Sequence, residues 1–154
     1  MKKILLTAFA AATVSVASAQ NSAVNSAILN HKNGTLDKAQ ADIDKAIQHD
    51  KTKDKAKTWF YRGVIYQDMI GNPIYGKQTN ENTPMIVLES FDKVESLDSK
   101  GEFKSQLPER REMLYGQVLN QAVEFHNSQD WENAIEKYKL ASKINPTDTT
   151  AVLY

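Results

Sequence analysis

Between Tyr115 and Asp148 the chain reads YGQVLNQAVEFHNSQDWENAIEKYKLASKINPTD. Apolar or small residues recur at Val118, Ala122 and Phe125, and again at Ala134, Ile135, Tyr138, Ala141 and Ile144. Both sets keep the three-and-four spacing of an amphipathic helix. The polar break Asn127-Ser128-Gln129-Asp130 separates them, Asp130 is placed to cap the second helix, and Glu132 favours its first turn. Pro146 stands just past the last apolar position, where helices stop. The stretch is therefore a helical hairpin with an apolar stripe on each arm. One hairpin cannot bury both stripes, so it demands neighbours.

This unit resembles a tetratricopeptide repeat, a 34-residue helix-turn-helix. Ala122 matches the small first-helix slot and Phe125 the aromatic one, and Ala134, Tyr138, Ala141 and Pro146 follow in order. Val118 stands where the family has tryptophan, a departure. The resemblance implies an all-α solenoid of stacked hairpins.

The rest of the chain supplies the neighbours. Residues 20–53 read as a first, weak repeat, with Ala23, Ala27 and Leu29 on one helix and Leu36, Ala39, Ile43, Ala46 and Ile47 on the next. Asn33-Gly34 breaks between them and Thr35 is placed as a cap. Asn33-Gly34-Thr35 is also a glycosylation sequon, read here as a turn. Residues 56–101 form a second repeat. Trp59, Gly63 and Tyr66 match the family's Trp…Gly…Tyr spacing, with Arg62 in place of leucine. By that resemblance Trp59 and Tyr66 fill the core, and Gly63 admits a neighbouring helix. Thr83-Pro84 starts the second helix as cap and first residue, and Val87, Phe91, Val94 and Leu97 carry its stripe. Between the two helices lies a loop over residues 70–83, rich in Gly, Asn and Pro. Loops of this length inside a compact array are usually functional or mobile. A polar connector follows Ser99. The third repeat spans residues 108–148, with a long first helix from Pro108 to about His126. Residues 149–154 begin a fourth repeat, which leaves an apolar face open to self-association or to further repeats.

Residues 1–19, MKKILLTAFAAATVSVASA, have the form of a bacterial signal peptide: two lysines, an apolar run, then the small residues Ala17-Ser18-Ala19. The run is too short to span a membrane, which takes about 20 apolar residues. The alternative is a buried N-terminal helix. Cleavage after Ala19 sends a chain beginning at Gln20 to the periplasm or the extracellular space. It leaves 17 basic and 19 acidic residues, a net charge of −2. No nucleic-acid partner is expected, because that needs a basic face. The chain has no cysteine, which excludes disulfides, thiolate metal sites and cysteine nucleophiles.

No enzyme activity, metal or cofactor is expected. His31 and His126 take equivalent first-helix slots two repeats apart, on the order of 20 Å at 8–10 Å per packed helix. That is too far to share a metal ion, with its bonds of about 2 Å. They are read as solvated surface residues. The acidic pairs Asp42/Asp44 and Glu132/Glu136 are read as solvated faces. The resemblance instead implies recognition of a protein or peptide in a concave groove lined by first helices. By slot, that groove is Val24, Ile28, Phe60, Val64, Leu119 and Val123, with Gln67 and His126 beside them. It is mainly apolar and suits an apolar or aromatic segment. The alternative is that the chain's own extra pieces bury these side chains. The overall expectation is an exported interaction scaffold. A structural module that stacks with further repeats or with itself is the second reading.

Overall fold

A computed structural model describes residues 23–148; the expected signal sequence and the expected start of a fourth repeat lie outside them. Within that range the chain is all helical. Residues 23–32 lie in α1. Then follow α2 (Leu36–Ala46), α3 (Ala56–Met69), α4 (Thr83–Leu97), α5 (Leu107–Asn127) and α6 (Trp131–Ile144). Short 3-10 turns at Gly76–Gln78 and Lys104–Gln106 lie in the connections before α4 and before α5. The helices pack as sequential pairs, most closely α3 on α4 and α5 on α6, and α2 lies against α3.

The apolar periodicity of each helix decides which face is buried. On α2 it is Leu36, Ala39, Ile43 and Ala46. On α4, Val87, Phe91 and Val94 are fully buried, as their spacing requires. Two cores result. One joins α1, α2 and one face of α3, through Ile65 and Met69. The larger one joins the opposite face of α3, through Phe60 and Val64, with α4, α5 and α6. Helix α3 is therefore the wall shared by both cores, and it is buried almost all round.

Gly63 sets how closely α3 and α4 approach. A Cβ there would lie 2.7 Å from Cδ1 of Phe91, inside contact distance, so the ring packs directly on the glycine backbone. The tyrosine of the same motif, Tyr66, is buried as expected. Trp59 is not. It is half-buried, its indole N–H donates to the Lys53 carbonyl, and Arg62 and Lys93 lie over its ring. Arg62 also reaches Asp44 on α2 and Ser90 on α4, so this side chain clamps three helices.

Of the three caps expected from the sequence, one forms and two do not. Asp130 caps α6 by accepting from the Asn133 amide, and Glu132 stands in the first turn. Gln129, at φ 64°, takes the left-handed conformation that lets α6 turn back on α5. Thr35 does not cap α2, because its hydroxyl donates backwards to the Asn30 carbonyl. Thr83 is the first residue of α4 rather than its cap, and its hydroxyl accepts from the Asn80 amide. In each case the hydroxyl closes the turn before the helix instead of the helix itself.

Candidate binding cleft

The eight residues expected to line a groove do not form one open surface. Val24, Phe60, Val64 and Gln67 are buried. Ile28 and Leu119 are half-buried against the two cores. His126 is half-buried with its ring edge-on to Trp131 and Tyr138. Only Val123, 42% exposed, offers an open apolar side chain. The connector after α4 explains Phe60. Asp98 accepts from the amides of Glu102, Phe103 and Lys104, which folds that connector tightly and drives Phe103 onto the ring of Phe60. Burial alone would raise the Asp98 carboxyl, but these three N–H donors outweigh it and hold it below the usual carboxylate range.

Gln67 and its neighbours form a polar ladder across the odd-numbered helices. Asp68 accepts from His31 of α1 at 2.7 Å and from Arg110 of α5 at 3.1 Å. The Gln67 amide donates to the Arg110 carbonyl and accepts from its guanidinium. Gln117 of α5 donates to the carbonyls of Gln67 and Ile70. Burial works to raise Asp68, yet the His31 hydrogen bond and the Arg110 charge hold it low. His31 is thus a tie between helices, not a solvated surface residue. Asp42 and Asp44 are likewise paired rather than solvated: Asp42 accepts from Asn30, and Asp44 from Arg62 and Tyr66. Among the described residues no three His, Asp or Glu side chains gather closely enough to hold a metal ion.

The segment between α3 and α4 builds a different site. Its backbone is ordered by its own side chains. Asn72 accepts from the amides of Ile74 and Tyr75, Thr79 donates to the Gly76 carbonyl, and Asn80 accepts from the Asn82 amide. Gly71, at φ +71°, provides the turn out of α3. Tyr75 packs on the core of α1 and α2. At the other end, the buried Lys137 of α6 donates to the Glu81 carbonyl. The segment is therefore a strap, fixed to the first helix pair at one end and to the last at the other.

A cleft runs between strap and α5. One chamber, of about 460 Å³, is lined by Gln117, Asn120, Gln121 and Glu124 opposite the first half of the strap. A second, of about 550 Å³, shares Thr79, Gln121 and Glu124 with it and continues to Phe125 and Lys137. Each lies in the size range of a ligand pocket. The side chains of Asn120, Gln121 and Glu124 make no hydrogen bond or ion pair with any described residue. Lys137 closes the far end; burial lowers its ammonium from the usual value, against the opposing pull of Glu81 and Glu136.

Sequence reasoning passed over these residues, although Gln117, Gln121 and Glu124 repeat at helical spacing and form a second, polar stripe on α5. Apolar stripes attract attention because they must be buried, whereas a polar stripe normally needs no explanation. Here a strap from elsewhere faces it across the cleft, leaving Gln117 and Gln121 half-buried and Glu124 exposed. Among known proteins, no family model matches the chain, and no curated protein or solved structure matches it either.

Proposed function

We propose that the protein is an exported, tetratricopeptide-like interaction module that binds a protein or peptide segment. The sequential packing of helix pairs and the repeat-spaced residues Gly63, Tyr66, Ala122, Ala134, Tyr138 and Ala141 support the array. The order of residues 1–19 supports export. One observation carries the binding role: a row of α5 side chains, Asn120, Gln121 and Glu124, lines a cleft beside an ordered strap and is engaged by no described residue. The apolar groove of Val24, Phe60 and Val64 is replaced in this reading by the polar cleft, and Val123, Leu119 and His126 remain as its neighbours on α5. Immobilised protein exposed to an envelope extract should retain a partner that then binds the purified chain saturably. Failure to retain any such partner, from envelope or culture fluid, counts against the role. Protein recovered from the envelope should have lost residues 1–19 by intact mass; a stable cytoplasmic precursor would contradict export.

A second reading rests on a separate observation. Trp131 and Ile135, one turn apart on α6, are 54% and 46% exposed, and Trp131 is braced by His126. Such a face suits stacking against another helix pair. Light scattering separates the readings. A monomer at high concentration favours the cleft, and growth with concentration that Trp131→Glu abolishes favours stacking.

A further inference from the structure

We infer that Lys137 anchors a small-molecule site: a chamber between the end of the strap, α4 and α6 that takes an organic monocarboxylate with an apolar body. This goes beyond the protein-binding role and does not rest on it. Lys137 is 5% exposed, and a lysine so far out of water is normally paired with a carboxylate. Its ammonium carries three hydrogens, and the Glu81 carbonyl takes one. No described residue accepts either of the others or forms an ion pair with it. The Glu81 and Glu136 carboxylates act on it only through their charge, from side chains that stand exposed. Burial outweighs their pull and lowers the ammonium from its usual value. An anion that accepts both remaining hydrogens would satisfy the charge where it stands.

Two chambers meet at Lys137, and their charges choose between them. The one towards α5 carries Glu81, Glu124 and Lys137, a net of −1 that repels an anion. The other, of about 370 Å³, shares Glu81, Asn82 and Lys137 with it but continues to Met85 of α4 and Leu140 of α6. Lys139 and Lys143, one turn apart on α6, stand on its walls with Glu136. Three ammonium groups there face two carboxylates, a net of +1. Met85 is half-buried and Leu140 is buried, which gives the chamber an apolar side. A ligand that meets both features has one carboxylate at Lys137 and a short hydrocarbon body over Met85 and Leu140. The Asn82 side-chain amide bonds to no described residue and is a further donor beside the carboxylate. Apart from the strap and the start of α4, these residues lie on the second helix of the last pair, away from the first helices that the expected groove used.

The test titrates hexanoate into the purified protein carrying isotope-labelled lysine and follows the Nζ resonances by NMR. Hexanoate should shift the Lys137 resonance saturably. It should also raise the pH at which that ammonium titrates, because an anion that binds the charged form stabilises it. Hexanamide, the same shape without the charge, should bind at least about tenfold more weakly. Acetate should fall at least as far, since each buried methylene is worth about fourfold. Lys137→Met should abolish binding while the far-ultraviolet spectrum stays helical. Because that change also frees the strap, Lys139→Gln and Lys143→Gln test the chamber with the Lys137–Glu81 bond intact. Together they should weaken hexanoate by about threefold without lowering the melting temperature, and high salt should shrink the difference. Hexanamide that binds as well as hexanoate overturns the inference, and so does hexanoate that binds the Lys137→Met variant undiminished. Inorganic phosphate that displaces hexanoate at equal concentration also overturns it, since the site then takes any anion. A Lys137 resonance that hexanoate leaves in place does the same. None of these outcomes bears on the protein-binding role.

Discussion

The ring of Phe103 stacks on the ring of Phe60, with centroids 4.7 Å apart and planes inclined at 26°. One ring belongs to the first turns of α3 and the other to the connector before α5, so the stack joins two pieces of chain that helical periodicity does not relate. It also closes the position where an apolar groove was expected.

Phe60→Ala should cost about 3–5 kcal/mol, the usual range for removing a buried aromatic ring. Trp59→Ala should cost less, about 1–2 kcal/mol, because its ring is half-buried and part of its contact is with Arg62 and Lys93. A double-mutant cycle between Phe60 and Phe103 should give a coupling of about 0.5–1.5 kcal/mol. Urea denaturation reads all three, and a Trp59 variant more damaged than the Phe60 variant would refute the placement.

Gly63→Ala should destabilise by about 1–3 kcal/mol, as overpacking does, since the new methyl meets the Phe91 ring. Phe91→Leu in the Gly63→Ala background should then cost much less than it does alone. The same denaturation series checks that non-additivity.

The acid side of the stability profile should depend on Asp98. Its folded carboxyl titrates below the unfolded value, so the stability it contributes is complete above about pH 4 and is lost as the pH falls through the lower folded value. Asp68 acts in the same window and direction. Asp98→Asn should therefore flatten, without abolishing, the fall in melting temperature between about pH 4 and pH 2.

Lys137 has the opposite signature. Its folded ammonium titrates below the usual lysine value, so its burial penalty is present at neutral pH and fades as the pH rises towards about 10.4. Lys137→Met should remove that alkaline gain. It should also release the strap, seen as faster hydrogen exchange at the amides of Thr83 and Asn82, while α6 stays protected.

Much of the fold was legible because helices announce themselves locally. The stripes on α2, α4 and α6, the break before Asp130 and the stop at Pro146 all depend on residues a few positions apart. The long first helix of the third pair was readable for the same reason, from Pro108 onward. What stayed hidden depends on distant partners. Nothing near Phe60 reveals Phe103, and nothing near His31 reveals Asp68, which lies in another helix pair. Trp59 and Phe60 are adjacent and both aromatic. Which one enters the core is decided by the connector that Asp98 folds, not by helical phase alone. Thr35 and Thr83 misled because a hydroxyl beside a helix start has two uses, and only the turn geometry selects between them.

The strap has a consequence for how the molecule comes apart. In a plain row of helix pairs each pair feels only its neighbours, and such a row frays from its ends. Here Tyr75 is seated on the first pair while Glu81 is gripped from the last. Opening either end must loosen a tether that also holds the other. Such a tether makes the helix pairs less like a zip and more like a buckled belt, whose outer pairs should come undone together.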